Sequence, residues 1–197
     1  MNYLSKAKSS FKTKLNLFLF NCVINKVDFT FDNFQKFSID EVLVYKYTTV
    51  YWQQSKDCDE LGLNILEIES QINLLKQKHI NLINDLEIDY IKVTFPKLFP
   101  KEDFEDLIKG KECHYCHITE DEIDQLGVNN KLNKKNFRGW HMEIDRLNSN
   151  YEYSWDNCVM ACYWCNNAKT DEFTEPEFKI IGESITKIWE NRLKDIH

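Results

Sequence analysis

The most regular hydrophobic pattern in the chain begins at Leu61 and extends to about residue 93. Its seam positions alternate in steps of three and four, and two of them are polar: Ile65, Ile68, Ile72, Leu75, His79, Leu82, Leu86 and Asp89. This spacing is a heptad seam and predicts one long helix. The seam either packs on its own domain or pairs with a second helix, in a homodimer or with a partner protein. His79 is interpreted as a core or register residue, because no ligand pair stands beside it at metal spacing.

Shorter patterns predict the elements on either side of this seam. Ser38 and Glu41 have the spacing of a capping box, which predicts a helix through about Gln53. Pro96 and Pro100 are expected to end the long helix, since each disfavours helical backbone in the residue before it.

The region after these prolines predicts a second domain. A short helix is expected from Lys101 until Gly110 ends it. A second capping box, Thr174 with Glu177, predicts a last helix that packs back on this domain. We place the boundary near residues 95–110, between a mainly helical N-terminal domain of residues 1–100 and a C-terminal domain of residues 101–197.

Within the C-terminal domain the apolar period changes from that of a helix to that of a strand. Residues 142–145 alternate between apolar and acidic side chains, which predicts a short strand. The turn-rich segment 147–156 and a second apolar run at 158–161 follow, and a helix is expected to open at 166–169. The order is strand, strand, helix.

Four of the seven cysteines form two CxxC turns, Cys113/Cys116 and Cys162/Cys165. Two such turns supply the four soft ligands that tetrahedral Zn²⁺ favours, and a four-cysteine site without an open position is structural. The alternatives are a redox pair, four unrelated thiols, or a site in which His114 or His117 replaces a cysteine. The remaining three are interpreted as small buried hydrophobes: Cys22, Cys58 and Cys158.

Charge and composition limit the function classes. The net charge of −7 argues against a protein that coats nucleic acid non-specifically. A local basic segment, NNKLNKKNFRGW, nevertheless carries four cations and two stacking aromatics: Lys131, Lys134, Lys135, Arg138, Phe137 and Trp140. It is either a nucleic-acid-binding arm or a solvated loop. The N-terminal apolar run LNLFLFNCVI is interrupted by Asn16 and Asn21 and lacks a cleavage site, so we expect a soluble cytoplasmic protein without a membrane contact.

Residues 111–172 resemble the HNH nucleases of the ββα-metal (His-Me finger) superfamily. That family's pattern is CxxC, an apolar run ending in Asp-His, a loop, an Asn before a second apolar run, and CxxC followed by His or Asn and a Lys. In the same order this sequence supplies Cys113–Cys116, Ile144-Asp145-Arg146, Asn157, Cys162–Cys165, Asn166 and Lys169. The resemblance implies an α+β, mostly helical chain with a C-terminal zinc-stabilised ββα unit and flanking helices.

The resemblance also implies roles for individual residues. Asp145 and Asn166 fall at the family's two metal-ligand positions, and their oxygens suit Mg²⁺ or Mn²⁺. Asn157 falls where the family orders the loop around its catalytic base. Lys169 is one turn from Asn166 and is expected to approach a phosphate. The family's base is the His after the Asp, but Arg146 stands there, and an arginine cannot accept a proton.

Three groups are candidates for the vacant base. His141 has the right chemistry, but it lies about 13 Å from Asp145 along an extended strand at ~3.3 Å per residue. Glu143 shares a strand face with Asp145 and could activate water or provide a third metal ligand. Tyr151 and Tyr153 on the following loop rank lower. Arg146 could still hold a phosphate or stabilise transition-state charge.

The function that these features predict is a metal-dependent endonuclease that hydrolyses phosphodiester bonds in nucleic acid, with double-stranded DNA as the expected substrate. The alternative is a zinc-stabilised nucleic-acid-binding module that has kept the HNH scaffold and lost the base. A role in restriction or phage defence would follow only by family analogy.

Overall fold

The computed structural model describes residues 2–51, 55–132 and 138–196. These residues form helices and one two-stranded sheet, which confirms the α+β, mostly helical class. The helices are α1 Tyr3–Ile24, α2 Phe31–Lys36, α3 Glu41–Tyr51, α4 Ser55–Glu60, α5 Ile65–Lys78, α6 Ile80–Asp89, a π-helix Tyr90–Thr94, α7 Phe95–Leu98, α8 Lys101–Leu107, α9 Glu120–Val128, α10 Tyr163–Lys169 and α11 Glu175–Lys194, and the strands are β1 Glu143–Arg146 and β2 Cys158–Ala161. No described helix has the length and apolar character needed to cross a membrane.

The chain divides into two compact units. The helical unit comprises Leu4–Lys97 together with Asn150–Glu152. The C-terminal unit comprises the first three residues, Leu98–Ser149 and Tyr153–His197. The segment Asn150–Glu152 belongs to the helical unit through Glu152, whose Oε1 accepts a 2.6 Å hydrogen bond from the Tyr90 hydroxyl. Burial raises the pKa of the Glu152 carboxyl.

In the helical unit, the prediction of a single helix over the heptad seam is wrong. The helix breaks at His79, whose φ of −115° and ψ of 26° end α5, and α6 begins at the next residue. The His79 ring lies 5.1 Å from the ring of Phe29, a tertiary contact that periodicity does not show. The first part of the seam packs within its own unit, where Ile68 joins a core with Phe20 and Leu43.

The helix end predicted from Pro96 and the helix start predicted from Ser38 also differ from the structure. The helix does not stop before Pro96, because a π-helical turn, in which the Phe95 N–H donates to the Tyr90 carbonyl, carries the chain into α7. The π-helical turn is wider than an α-helical one, so it accommodates Pro96, which has no N–H and whose ring crowds the preceding turn. At α3 the cap is Asp40 rather than Ser38, since Asp40 Oδ1 accepts a 2.9 Å bond from the Leu43 N–H.

The C-terminal unit contains the predicted strand–strand–helix order. β1 and β2 are antiparallel, with Glu143 opposite Ala161 and Asp145 opposite Val159. The helix α10 begins three residues before the predicted start, because Cys162 caps it by accepting a 3.5 Å bond from the Cys165 N–H. The short helix after Pro100 and the capping box of Thr174 and Glu177 are confirmed by α8 and α11.

The helix α11 packs back on its own unit, as predicted, and its contacts there are with the first cysteine turn. Thr186 Oγ1 donates a 3.0 Å bond to the Cys116 carbonyl, and the Phe178 ring lies edge-on to the Tyr115 ring at 5.0 Å. Gly182 is the closest point of this contact, since a Cβ there would overlap the Tyr115 carbonyl oxygen. The glycine is therefore required by packing.

The substitution Gly182→Ala should destabilise the protein by about 1–3 kcal/mol, as overpacking of a close contact does. On an open helical surface the same change would be stabilising, because alanine is the better helix former by about 1 kcal/mol. Thermal unfolding followed by circular dichroism measures the difference. Ser184→Ala, an exposed position on the same helix, is the matched control, and a Gly182→Ala melting temperature at or above that of wild type would contradict the packing argument.

Candidate metal centres and nuclease site

The two CxxC turns meet in one buried cluster. The four sulfur atoms of Cys113, Cys116, Cys162 and Cys165 all lie within 4.8 Å of one another, and the four residues are at most 1% exposed. Four buried thiols at this separation are the donor set that tetrahedral zinc prefers, so the cluster could hold a metal such as zinc. The remaining cysteines, Cys22, Cys58 and Cys158, are buried singly, as predicted.

Backbone hydrogen bonds hold the first cysteine turn in place. The Cys113 N–H donates to the Ile118 carbonyl at 3.0 Å, and the His117 N–H donates back to the Cys113 carbonyl at 3.0 Å. His117 completes the turn with a φ of 57°. The His114 N–H donates to the Met160 carbonyl at 2.8 Å, which ties this turn to β2 and so to the second turn.

The four thiols of the cysteine cluster are shifted in opposite directions by their mutual hydrogen bonds. Hydrogen bonds from Cys116 and Cys162 lower the pKa of the Cys113 thiol, whereas the hydrogen bonds to Cys113 raise the pKa of Cys162 and Cys165. The thiolate is the form that binds metal. The two histidines beside the turn contact carboxylates instead, His114 Nε2 to Glu175 at 2.8 Å and His117 Nδ1 to Glu112 at 2.8 Å. Neither belongs to the four-residue cluster.

Asp145, at the end of β1, is held through one of its two carboxylate oxygens. Its Oδ2 accepts a 2.7 Å hydrogen bond from the Tyr115 hydroxyl and lies 3.5 Å from Lys169 Nζ. Among the described residues, its Oδ1 has no hydrogen-bond partner. The side chain keeps 10% of its surface exposed, and burial raises the pKa of Tyr115, which therefore remains a protonated donor.

Asn166 on α10 lies on the same side of β1 as Asp145. Its Nδ2 donates a 2.6 Å bond to Glu143 Oε2, and Glu143 Oε1 accepts a 3.1 Å bond from Arg138. A carboxylate only accepts, so the amide nitrogen of Asn166 must face it and the amide oxygen points elsewhere. Glu143 and Asp145 share a strand face because they are two residues apart, and α10 packs on β1 with Asn166 at Glu143 and Lys169 at Asp145.

Lys169, which the resemblance places near a phosphate, is buried against the end of β1. Its side chain is 1% exposed, and Nζ donates a 2.8 Å bond to the Arg146 carbonyl while it lies 3.5 Å from Asp145. A buried ammonium is costly unless it is paired and hydrogen-bonded, and both conditions are met inside the unit. Lys169 therefore holds the end of β1 and orients Asp145.

Arg146 and Asn157 lie where the chain leaves β1. The guanidinium carbon of Arg146 is 4.8 Å from the centre of the Tyr153 ring. The Asn157 side chain makes two hydrogen bonds to the backbone of Asn148. Its Nδ2 donates to the Asn148 carbonyl at 3.1 Å, and its Oδ1 accepts from the Asn148 N–H at 2.9 Å. The Leu147 N–H also donates to the Asn157 carbonyl at 2.9 Å. Asn157 thus orders the loop that begins directly after Arg146.

The two leading candidates for the base have different surroundings. The His141 side chain is 86% exposed, and its Nδ1 lies 3.5 Å from Glu120 on α9. Glu143 uses both carboxylate oxygens, one toward Asn166 and the other toward Arg138. Its contacts are those of a residue that positions its neighbours.

The basic segment contacts other parts of the protein at both of its described ends. Lys131 Nζ lies 3.4 Å from the Asp195 carboxylate, and the Arg138 guanidinium stacks 5.0 Å from the centre of the Tyr163 ring. The Trp140 ring packs against Gly127 of α9, so it is part of the fold at that point. The predicted nucleic-acid contacts Lys134 and Lys135, together with Phe137, lie outside the described residues.

Tyr115 is the site residue that sequence reasoning missed. It stands between Cys113 and Cys116, where an aromatic ring is expected to fill space. Its partner Asp145 is thirty residues away, and no spacing or periodicity in the sequence connects them. Only the folded cysteine turn brings the hydroxyl to the carboxylate.

Comparison with known proteins gives partial similarities. No family model matches the chain. A stretch of 69 residues, 35% of this chain, is 36% identical to uncharacterized protein R423 of Acanthamoeba polyphaga mimivirus and spans 10% of it. Among solved structures, the rare-cutting HNH restriction endonuclease PacI is similar, with 34% identity, a TM-score of 0.36, and coverage of 44% of this chain and 58% of that chain. The chain thus spans a tenth of the viral protein and just over half of PacI.

Proposed function

We propose that the C-terminal unit is a metal-dependent endonuclease of the HNH type, which hydrolyses phosphodiester bonds in nucleic acid, with double-stranded DNA as the substrate. The observation that carries the proposal is the pair of oxygen donors on facing elements. Asp145 on β1 keeps Oδ1 without a hydrogen-bond partner among the described residues, and Asn166 on α10 has its amide oxygen turned away from Glu143. Each side chain is held by a neighbour, as a preorganised ligand pair requires.

The donor chemistry fits two different metals at two places. A carboxylate and an amide oxygen are hard donors, so Asp145 and Asn166 would hold Mg²⁺ or Mn²⁺. When bound there, this ion would supply Lewis-acid polarisation of the scissile phosphate. The four cysteines would hold zinc in a closed and purely structural site. The zinc would fix the turn that carries Tyr115 and the turn that begins α10.

Arg146 has the properties of a phosphate-binding group. It follows the metal-ligand position directly, and its guanidinium remains charged at any working pH. A guanidinium can bind two phosphate oxygens at once, and it stabilises charge that develops in the transition state. The Tyr153 ring and the loop ordered by Asn157 would restrict its orientation before substrate arrives.

The remaining polar residues take supporting roles in this proposal. Glu143 positions Asn166, and Lys169 positions Asp145 and closes the end of β1. His141 lies beside Glu120, so we assign it no role in proton transfer. No side chain among the described residues is assigned as the base, so the attacking water would pass its proton to a solvent water molecule.

Replacing Arg146 tests this proposal through activity. Arg146→Ala should lower single-turnover cleavage of supercoiled plasmid by on the order of 10²-fold or more, as loss of one charge-stabilising donor does. Lys187→Ala removes an exposed cation from α11 and should cleave like wild type. Arg146→His restores the family's base beside Asp145, and its rate should rise with pH as the imidazole loses its proton.

Two outcomes would overturn parts of the proposal. If the Arg146→Ala variant cleaves plasmid as fast as wild type, Arg146 has no catalytic role. An inactive wild type with an active Arg146→His variant would identify the natural protein as a nucleic-acid-binding module on a nuclease scaffold.

A further inference from the structure

We propose that Tyr115 is a positioning residue through which the first cysteine turn sets the orientation of the Asp145 carboxylate for its divalent ion. The inference rests on the proposed nuclease function and adds a residue that the HNH resemblance does not supply. It makes the cysteine cluster part of the active-site architecture, because the same turn holds two of the cysteines and the tyrosine.

The ring of Tyr115 is fixed from several sides. It is 1% exposed, and Phe178 of α11 packs edge-on against it at 5.0 Å and an interplanar angle of 88°. The backbone carbonyl of Tyr115 lies against Gly182 of the same helix. Its neighbours Cys113 and Cys116 are anchored in the sulfur cluster. The place of the hydroxyl is therefore determined by the cysteine turn and α11 together.

The hydroxyl acts on one oxygen of Asp145 and leaves the other for a ligand. Its 2.7 Å bond to Oδ2 is at the short end of the range for O–H donors, as expected for a charged acceptor. Lys169 Nζ approaches the same oxygen at 3.5 Å. Both partners contact Oδ2, so they restrict rotation of the carboxylate about χ2. Without such contacts, the χ2 angle of an aspartate has a broad distribution.

Loss of the hydroxyl should loosen the carboxylate without removing any metal ligand. In Tyr115→Phe the remaining partner of Oδ2 would be the Lys169 ammonium, which already lies beyond normal hydrogen-bond length. The carboxylate could then turn away from the orientation that the Tyr115 hydroxyl gives it. Partners of this kind typically change metal affinity by about 10- to 100-fold when they are removed.

The test is Mn²⁺ binding to zinc-loaded protein, measured by electron paramagnetic resonance without nucleic acid. Tyr115→Phe should bind Mn²⁺ about 10-fold more weakly than wild type while it keeps the same zinc content. In plasmid cleavage it should need correspondingly more Mn²⁺ for half-maximal rate, and the rate should recover toward wild type at saturating metal. Tyr90→Phe, which removes an equally buried hydroxyl from the carboxylate Glu152, is the matched control and should not change Mn²⁺ binding.

A pair of variants of nearly equal volume protects the test against a folding defect. 4-Aminophenylalanine at position 115 keeps a hydrogen-bond donor at the ring tip, whereas 4-methylphenylalanine keeps the volume without a donor. The amino variant should bind Mn²⁺ more tightly than the methyl variant. Equal Mn²⁺ affinity in wild type, Tyr115→Phe and both of these variants would overturn the positioning role. Absence of Mn²⁺ binding and cleavage in wild type would instead overturn the proposed function on which it rests.

Discussion

Asp145→Asn is expected to reduce plasmid cleavage by about 10³-fold, because a bound ion provides several kcal/mol of transition-state stabilisation and about 1.4 kcal/mol corresponds to a factor of ten. The substitution keeps the shape of the side chain and removes the charge that would bind the ion. Among the described residues, Asp145 is the carboxylate that combines a position at the end of β1 with an oxygen left without a hydrogen-bond partner.

Asp145→Asn also removes the carboxylate beside the buried Lys169 ammonium, so the stability of the variant must be measured separately. Lys169 keeps its bond to the Arg146 carbonyl, and the fold should survive with a lower melting temperature. Asp171→Asn, an exposed carboxylate shortly after α10, is the control and should cleave like wild type. A folded Asp145→Asn protein with wild-type cleavage would exclude Asp145 as a metal ligand.

Cys162→Ser should have the largest effect on folding. In zinc-finger peptides, structural zinc contributes an apparent folding free energy of about 10–16 kcal/mol at neutral pH. That contribution is as large as the whole net stability of a typical domain, which is roughly 5–15 kcal/mol. Cys162 is also the N-cap of α10, so its loss affects both the cluster and the helix that carries Asn166.

Elemental analysis and circular dichroism measure this prediction together. Wild type purified under reducing conditions should contain about one zinc per chain, as four thiolate ligands imply. Cys162→Ser should lose the metal and unfold in the C-terminal unit. Cys158→Ala, a buried cysteine outside the cluster, should keep both zinc and fold. A metal-free wild type that is folded and reduced would show that the four cysteines do not require an ion.

The strand–strand–helix order could be predicted from local signals. Alternation over 142–145 requires only that a half-buried strand presents every second residue to the core. The two CxxC turns predicted the cluster because each pair is close in sequence and four thiols are the donor set that zinc prefers. The capping box of Thr174 and Glu177 is equally local, and it was confirmed at the start of α11.

The features that sequence could not predict depend on tertiary contacts. His79 satisfies the heptad spacing, but the helix ends there, with the His79 ring beside Phe29. Lys169 was expected to approach a phosphate, and its burial against β1 becomes evident only after α10 is packed on the strand. The contact of Tyr115 with Asp145 connects two turns of the chain that no periodic pattern relates.

The most direct test of the account is incubation of zinc-loaded wild type with supercoiled plasmid, with Mg²⁺ or Mn²⁺ added or omitted. Omission is preferable to a chelator, which would also remove the structural zinc. Nicked and linear products are expected only when a divalent ion is added, and Asp145→Asn should lose those products at equal zinc content. Cleavage that does not depend on added metal, or a folded wild type that leaves both plasmid and RNA intact at every metal concentration, would contradict the account.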